Sequence, residues 1–481
     1  MKRVLVLDIG GSSIKAWLSG STVEDCCSAS HPLPLREDPE NGLTEFDPRI
    51  WWSIVQKTVA SIFATQGNIR PSVVIISTIR QGLVLCDSTG EIGFGIHNAD
   101  KRGIASAEQM NEKIAWNDLY DLTGHWFAPQ LPLSKLIAIK TQDPNRWKKL
   151  NKLMFVHDWL AWRFTGVWKN ERTLATTSQL CNVNDHKWAS QLIDLFDLNH
   201  EIFGELIKSG EIIGVINCKE MPKLQGIELI AGAGDAHFLA HGARLDTSDT
   251  VVVTGSTTPI QTITENLPLD NQRRPWISAP VTEAGWAVEM NAGYTGAALD
   301  WLLRNFGWTT KEGIDAAWRN SSVGARGVIA LTGCPKWDQE SWSGSLPFSF
   351  TGLSTGHNRA DLVRAIVEGH AFAIRANVEG LDQILCQTTE HLVLTGGWVS
   401  DSNFCQLVAD VTERVVYSIS SFDASLKAST MLVNQHIPEI MPHQTNTTIF
   451  EPRTKNLNYD YFFTKYCEMY EHSILTTPNQ R

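Results

Sequence analysis

The chain has 481 residues, 43% of them apolar and 19% charged, which is enough for two substantial domains of an ordinary globular protein. Its net charge of −11 and its lack of a basic cluster argue against nucleic acid or an anionic membrane as partners. Nine scattered cysteines without a C-x-x-C pair indicate neither a metal site nor a disulfide framework. No apolar run approaches the roughly 20 residues that span a bilayer, so we expect a soluble, cytoplasmic protein.

A hairpin with a turn suited to phosphate is predicted at the start of the chain. Residues 4–7 form an aliphatic strand and residues 14–18 alternate as a second strand, which favours a hairpin over a signal peptide. The turn between them offers backbone N–H groups and hydroxyls to an anion, and Asp8 before it suits a magnesium ion held through water. An ordinary Gly-Gly hairpin turn remains the alternative, because neither the P-loop nor the G-x-G-x-x-G pattern is matched.

Two short polar clusters follow predicted strands in the first half. Arg80 and Gln81 stand at the end of a buried strand, residues 73–76, and Asn98 and Asp100 follow another short strand. Their side chains suit the hydroxyls or carbonyl of a polar ligand, and exposed loop positions would explain them equally well. Helical spacing predicts helices over residues 48–63, 131–140, 152–165 and 188–198, whereas residues 173–182 should form a loop or strand edge.

One acidic residue, Asp235, stands at a predicted strand-to-helix turn. The segment IAGAGDAHFLAHGA begins as a buried strand, passes Gly232 and Gly234, and continues as an apolar helix. Ligands of open α/β sheets collect at the carboxyl ends of the strands, so a carboxylate there is well placed for chemistry. A simple helix cap is the alternative role for Asp235. His237, nearby, is interpreted as structural.

The second half repeats the design of the first hairpin. Residues 251–263 form a strand, a turn with Gly and hydroxyl residues, and a second strand. Helices are predicted over residues 293–306 and from Asn358 or Asp361 onward, and the strand LVLTGGW ends in a Gly-Gly turn before a helix capped by Asp401 or Ser402. A flat heterocycle would fit on that turn, although a tight turn requiring positive φ explains the glycines too.

The order of these segments resembles the FGGY carbohydrate kinases, which belong to the actin, Hsp70 and hexokinase superfamily. The first hairpin is similar to the family's first phosphate motif, GAGDAH to its second, and LVLTGGW to its adenosine motif. Gly352-Leu353, followed by Asp361-Leu362-Val363-Arg364-Ala365 and Glu368-Gly369, is very like the second family signature. The resemblance runs through nearly the whole chain.

This resemblance implies an α/β fold of two duplicated RNase-H-like domains with a cleft between them. Residues 1–244 would bind the sugar and carry the catalytic base, and residues 245–481 would bind the nucleotide. The implied enzyme is a kinase that transfers the γ-phosphoryl of ATP, with Mg²⁺, to a hydroxyl of a small ketose, polyol or related linear carbohydrate. Whether it forms a homodimer stays open.

The resemblance also implies roles for individual residues. Asp235 would be the catalytic base, and Asp8 and Asp235 would hold the metal. The substrate-binding residues would be Arg80, Gln81, Asn98, Asp100 and Asp235. The nucleotide-binding residues would be Gly11, Ser12, Ser13, Lys15, Gly255, Ser256, Thr257, Gly296, Gly396, Gly397, Trp398 and Ser402.

Some positions depart from the family pattern. Ala138 stands where the first signature expects Trp, Lys15 where the first phosphate motif usually has Arg, and Lys427 where a Gly is usual near the adenosine site. Lys427 would either alter nucleotide affinity or point to solvent. Arg80-Gln81 resembles the Arg-Glu of glycerol and autoinducer-2 kinases more than the Met-His of xylulokinases, and the Asn98 segment resembles that of the autoinducer-2 kinase. These residues favour substrates other than xylulose.

Two other functions compete with the kinase. An actin-like or Hsp70-like ATPase switch would keep the phosphate hairpins but would not require the polar strand ends at Arg80, Gln81, Asn98 and Asp100. A catalytically silent sugar sensor would bind sugar without producing ADP.

Overall fold

A computed structural model of the chain describes residues 2–19, 26–66, 69–282, 284–334, 336–338, 348–453 and 458–476. Its strands, in chain order, are β1 (Val4–Ile9), β2 (Ser13–Leu18), β3 (Cys27–Pro32), β4 (Arg36–Asp38), β5 (Leu43–Phe46), β6 (Val73–Thr78), β7 (Leu83–Cys86), β8 (Gly95–Ile96), β9 (Lys152–Phe155), β10 (Asn170–Glu171), β11 (Leu206–Ile207), β12 (Ile212–Val215), β13 (Glu228–Gly234), β14 (Thr250–Thr254), β15 (Pro259–Thr264), β16 (Trp276–Ser278), β17 (Trp286–Asn291), β18 (Ile329–Leu331), β19 (Ser349–Thr351), β20 (His391–Gly396), β21 (Val415–Ile419) and β22 (Thr447–Phe450).

The α-helices, in the same order, are α1 (Pro48–Gln66), α2 (Ala107–Lys113), α3 (Trp116–Thr123), α4 (Pro132–Gln142), α5 (Pro144–Trp147), α6 (Val156–Thr165), α7 (Arg172–Thr176), α8 (Ser190–Leu195), α9 (Asp235–Ala243), α10 (Thr295–Phe306), α11 (Thr310–Asn320), α12 (Arg359–Leu385), α13 (Ser402–Thr412), α14 (Ser421–Asn434) and α15 (Tyr459–Thr476). Among the described helices, none combines the length and the apolarity needed to cross a membrane.

The chain forms two compact units. The first comprises Met1–Gly242, Ile277–Trp286 and Ser425–Gln444, and the second comprises Ala243–Trp276, Ala287–Ala424 and Thr445–Arg481. The first unit therefore includes two short segments from the second half of the sequence.

The first unit is built on a six-stranded sheet in the order β12-β13-β6-β1-β2-β3. The hairpin β1–β2 pairs antiparallel, as its alternating pattern predicts, and β1 pairs in parallel with β6, which in turn pairs in parallel with β13. The five-stranded sheet β4-β5-β8-β7-β9 belongs to the same unit. Since β1, β6 and β13 run in the same direction, their carboxyl ends lie at one edge of the sheet.

A seven-stranded sheet, β16-β17-β15-β14-β20-β21-β22, repeats this order from β17 to β22, strands that lie almost entirely in the second unit. The hairpin β14–β15 is again antiparallel, β14 pairs in parallel with β20, and β20 pairs in parallel with β21. Each sheet has an antiparallel edge strand beyond its parallel strands: β12 pairs with β13 in the first sheet, and β22 pairs with β21 in the second. The predicted repeat of the first hairpin is therefore part of a repeated sheet topology.

Helix α1 covers the first sheet with the apolar face that its spacing predicts. Trp51, Trp52, Val55, Val59 and Ile62 are buried and belong to one core cluster with β1, β2 and β6. Burial of such side chains stabilises a domain by about 1.5–3 kcal/mol each.

Two predictions of local structure need correction. The helix predicted over residues 152–165 begins only at Val156, because Lys152–Phe155 pairs with β7 as strand β9. Residues 173–182, predicted as a loop or strand edge, contain most of the short helix α7, whose N-cap is the carboxylate of Glu171. Pairing with β7 made residues 152–155 a strand, and the Glu171 cap, outside the predicted segment, allowed α7 to form.

The close approach of β13 to β6 predicts that a larger residue at position 232 destabilises the protein. A Cβ atom at Gly232 would lie 2.0 Å from the carbonyl oxygen of Ile76, whereas a Cβ at Gly380, inside α12, would meet only the flexible end of Met290 at 3.4 Å. We expect Gly232→Ala to destabilise the protein by at least about 1–3 kcal/mol, and Gly380→Ala to stabilise it by about 0.5–1 kcal/mol. Thermal and urea unfolding of both variants check this; a neutral Gly232→Ala would contradict it.

Candidate active site

Polar residues of the first unit lie where three parallel strands end. Asp8 of β1 is the register partner of Ser77 in β6, and Gly234 of β13 is the partner of Thr78. Asp235 follows directly as the first residue of α9. The predicted strand-end carboxylates are thus brought to one edge of one sheet.

The Asp235 carboxylate lies at a helix N-terminus, where its Oδ1 accepts a hydrogen bond from the backbone N–H of Ala236 at 2.8 Å. The backbone before Asp235 is also fixed, because the N–H of Gly234 donates to the Thr173 hydroxyl at 3.0 Å. That hydroxyl donates in turn to the buried Glu171 carboxylate at 2.6 Å. Ser209 also donates to Glu171, at 2.8 Å. Asp235 therefore projects from a braced peptide.

Asp8 is electrostatically linked to Asp235. Burial and the negative charge of Asp235 raise the pKa of Asp8 to about 7, although Lys15 on the neighbouring strand lowers it in part. Lys15 is the register partner of Asp8 in the hairpin and is exposed. Two carboxylates that resist ionising together favour a cation between them.

The predicted substrate residues have different surroundings. The aliphatic part of Arg80 packs on Gly234, where a Cβ would lie 2.8 Å from its Cγ. Gln81 is buried with a left-handed φ of 63°. The Oδ1 of Asn98 is buried and has no hydrogen-bond partner among the described residues. An unsatisfied buried acceptor is costly, which suits a position that a ligand hydroxyl completes.

Asp100 is occupied by protein groups. Its Oδ1 accepts from the Arg102 Nε at 2.8 Å and its Oδ2 from the backbone N–H of Thr44 at 2.8 Å. Arg102 also donates to Glu45 at 2.8 Å. Desolvation opposes ionisation of the buried Asp100, but Arg102, Lys135 and the Thr44 N–H together outweigh it, so the pKa of Asp100 is lowered. Its direct contact with sugar stays a prediction.

The turn of the first hairpin is tied to the Asn98 segment. The backbone N–H of Gly10 donates to the Ser13 carbonyl at 2.9 Å, with Gly11 and the exposed Ser12 between them. The His97 Nε2 lies 2.9 Å from the Gly11 carbonyl, and burial lowers the pKa of His97 to about 4. This neutral ring links the predicted phosphate turn to a predicted substrate loop.

In the second unit, two glycine turns and the start of α10 meet at the end of β14. A Cβ at Gly296 would lie 2.0 Å from the Gly255 carbonyl oxygen, so α10 packs directly on the Gly255–Ser256 turn. Gly396, with φ 106°, approaches the Thr254 carbonyl equally closely, and Gly397 donates its N–H to that carbonyl at 2.8 Å. The predicted nucleotide residues on these turns are therefore neighbours.

A polar network lies beneath these turns. The Thr258 hydroxyl is 2.9 Å from the Thr295 hydroxyl and 2.8 Å from the His370 Nε2. The His370 ring contacts Trp398 edge to face, with centroids 4.8 Å apart, and burial lowers its pKa to about 3. His370 is therefore a neutral link between two of the turns. Thr257, in the Ser256 turn, is half-buried.

The remaining predicted nucleotide residue lies at a helix start. Ser402 is the exposed first residue of α13, while Asp401 provides the N-cap by accepting from the Asn403 N–H at 3.0 Å. Lys427, the departure from the family pattern, is half-buried in α14.

A cavity of about 500 Å³ opens beside the Ser256 turn. It is lined by Ser256, Ala297, Asp300, Leu303, Arg304, Trp308, Thr309 and Thr310. Both signs of charge, three hydroxyls and an indole ring suit a planar heterocycle joined to a sugar. Sequence reasoning missed the cavity residues from α10 and the loop after it, because their convergence depends on how α10 meets α11.

Sequence reasoning also missed four polar residues that support the site. They are His97, Lys135, Thr173 and His370, all buried. The sequence offered one signal for a supporting role: Lys135 stands on an otherwise apolar face of a predicted helix. Among the described residues, no group of three or more His, Cys, Asp or Glu side chains could hold a metal ion.

Two domain models of one protein family match the chain over most of its length. The N-terminal domain model of the FGGY family of carbohydrate kinases matches residues 3–242, and the C-terminal domain model matches residues 243–426. A putative sugar kinase of Bacillus subtilis (strain 168) is 25% identical over 416 residues, covering 85% of this chain and 84% of that protein.

Solved structures share the fold. A xylulose kinase from Lactobacillus acidophilus superposes with a TM-score of 0.86 at 20% identity, covering 99% of each chain. The Plasmodium falciparum glycerol kinase with ADP superposes with a TM-score of 0.82 at 17% identity, covering 100% of this chain and 99% of that chain. The predicted fold class and family are confirmed, and the chain belongs to the FGGY family of carbohydrate kinases, enzymes that transfer a phosphoryl group to a sugar or polyol.

Proposed function

We propose that this kinase uses Asp235 as general base to transfer the γ-phosphoryl of ATP to a hydroxyl of a small ketose, polyol or related linear carbohydrate. The position of Asp235 carries the proposal: it follows β13, beside the end of β1, which carries Asp8, and the end of β6, which leads to Arg80. A carboxylate at that edge can accept the hydroxyl proton as the oxygen attacks the phosphorus.

The bracing of Asp235 supports this role. The Thr173 hydroxyl accepts from the N–H of Gly234, the residue before Asp235, and the Ala236 N–H holds one oxygen of the Asp235 carboxylate. Both contacts orient the carboxylate. A base that is already oriented contributes more, because phosphoryl transfer depends mainly on positioning and electrostatics.

The two carboxylates fit a magnesium site. Mg²⁺ in kinases is commonly held by one or two carboxylates together with waters and phosphate oxygens, so a larger protein cluster is not required. Asp8 and Asp235 would hold the ion, consistent with the raised pKa of Asp8 beside the Asp235 charge. When bound, the ion supplies charge neutralisation on the phosphate oxygens.

The second unit would hold the nucleotide. Backbone N–H groups around Gly255 and Ser256 suit the phosphates, the cavity beside them suits the ribose and base, and Gly397 and Trp398 would flank that ligand. Gly11, Ser12, Ser13 and Lys15 would contact the terminal phosphate, with Lys15 also offsetting the charge of Asp8.

Acceptor recognition falls to the loops after β6 and β8. Arg80 and Gln81 provide donors, and the unpartnered Oδ1 of Asn98 accepts from a hydroxyl. Asp100 would act mainly by holding Arg102 and Thr44. We place the reaction in the cytoplasm, where ATP and small sugars meet.

A coupled ADP-release assay tests the substrate class. We expect turnover to depend on one member of a panel of ketopentoses, ketohexoses, polyols, glycerol and the autoinducer-2 precursor. Xylulose should be a poor acceptor, because Arg80 and Gln81 differ from the xylulokinase pattern. Sugar-independent ATP hydrolysis that no panel member changes would contradict the proposal.

Asp235→Asn separates a base from a helix cap. Asn caps helix N-termini about as well as Asp, so a cap role predicts nearly unchanged turnover. A base role predicts that kcat falls by about 10²–10⁴-fold while the melting temperature stays near that of the wild type. Steady-state kinetics and a thermal melt measure both quantities, and a kcat within twofold of wild type would refute the base assignment.

Asp8→Asn should stabilise the protein without ligands in a pH-dependent way. Unfolded Asp8 ionises near pH 3.8 and folded Asp8 near pH 7, so the native state is increasingly penalised between these values and fully penalised above them. We expect the free energy of unfolding of Asp8→Asn to exceed that of wild type by roughly 1–3 kcal/mol at pH 8 and by little at pH 4. Activity should fall.

Denaturant unfolding with EDTA at both pH values measures the difference. Asp315→Asn, at a half-exposed position on α11, is the matched control and should show no such pH dependence. An equal stability difference at pH 4 and pH 8 would show that the Asp8 charge is not the cause.

A further inference from the structure

Lys135 is a fully buried lysine that the phosphoryl-transfer chemistry does not require. It lies on α4 among buried neighbours, with none of its surface exposed. Burying an amine costs more than burying an apolar side chain of the same length, unless its hydrogen-bonding capacity is met. Burial lowers the pKa of Lys135 to about 7, which reflects that cost.

Two backbone carbonyls meet that capacity. The Lys135 Nζ donates to the carbonyl of Gln81 at 3.1 Å and to the carbonyl of His97 at 2.9 Å. Both distances are those of good hydrogen bonds, and either protonation state of the amine can make both.

The two carbonyls belong to the two loops that carry the proposed acceptor ligands. Gln81 follows Arg80 after β6 of the six-stranded sheet, and His97 precedes Asn98 after β8 of the five-stranded sheet. The Gln81 loop leads into β7, which pairs with β8 at Leu83 and Ile96, so the two loops lie side by side. The Lys135 amine bridges the two carbonyls just beyond that pair, where the register between the strands ends.

Both loops have conformations that need support. Gln81 has a left-handed φ of 63°, which costs a non-glycine residue about 1 kcal/mol or more. The His97 Nδ1 accepts from the Ala99 N–H at 3.2 Å, so its Nε2 carries the proton and donates to the Gly11 carbonyl. The bracing therefore continues from Lys135 through His97 to the phosphate turn.

We infer that Lys135 is a positioning residue for the acceptor carbohydrate, holding the Gln81 and His97 carbonyls so that Arg80, Gln81 and Asn98 stay in register with one another. This inference rests on the acceptor roles proposed for those three side chains. Lys135 itself does not touch the substrate and takes no part in proton transfer.

The main test replaces Lys135 with methionine, which keeps the length and removes the donors. Ser134→Ala is the matched control, because Ser134 is the adjacent buried residue and its hydroxyl donates to the carbonyls of Ala128, Pro129 and Leu131. With the best acceptor from the ADP-release panel, Lys135→Met should raise the KM for that carbohydrate about tenfold or more and leave the KM for ATP within twofold. Ser134→Ala should leave both unchanged.

Hydrogen–deuterium exchange provides a readout that needs no sugar. Amides in residues 79–84 and 96–101 should exchange about tenfold faster in Lys135→Met than in wild type, and not in Ser134→Ala. Unchanged exchange in both loops, or equal changes in the two KM values, would overturn the inference. If Lys135→Met does not fold, Lys135→Gln, with a shorter donor, should show the same pattern more weakly.

Arg80→Ala, measured in parallel, separates the two hypotheses. If Arg80→Ala raises the carbohydrate KM and Lys135→Met does not, the positioning role of Lys135 is refuted while the proposed function stands. If Arg80→Ala leaves that KM unchanged, the proposed acceptor site is wrong, and the inferred role for Lys135 falls with it.

Discussion

Parallel pairing of β6 with β1 on one side and with β13 on the other is the constraint on which the acceptor side of the proposed site depends. It brings Asp8, the Arg80 loop and Asp235 to a single sheet edge, although they are far apart in sequence. The pairing is close enough that only glycine fits at position 232. The geometry of the proposed site is thus a consequence of backbone hydrogen bonding between buried strands.

Burial favours the neutral form of several groups around that edge. It raises the pKa of the Asp8 carboxyl, and it lowers the pKa of the His97 ring and of the Lys135 amine. The common cause is the loss of water around each group. Where water is scarce, isolated charges are disfavoured and electrostatic interactions are stronger. The charges of a phosphate or a metal ion would therefore interact strongly with the fixed dipoles and carboxylates at this edge.

The sequence predicted local features well and long-range contacts poorly. Both hairpins, helix α1, and the position of Asp235 after a strand follow from periodicity and glycine placement, which are local signals. Strand β9 and helix α7 were missed because β7 and Glu171 determine them from elsewhere. Lys135, Thr173 and His370 could not be recognised as supports, because a buried polar side chain acquires meaning only from the carbonyl or hydroxyl it meets in the folded chain.

The repeated sheet topology carries an unequal distribution of charge. The first hairpin contains Asp8 and Lys15, whereas residues 251–263 of the second hairpin and residues 392–398 of the Gly-Gly turn contain no charged side chain. A carboxylate that serves as a base repels a polyphosphate, so one copy of a scaffold could not easily do both tasks. Two copies separate these incompatible fields: the first hairpin keeps its acid, and the turns of the second sheet offer an anion neutral backbone and hydroxyl groups.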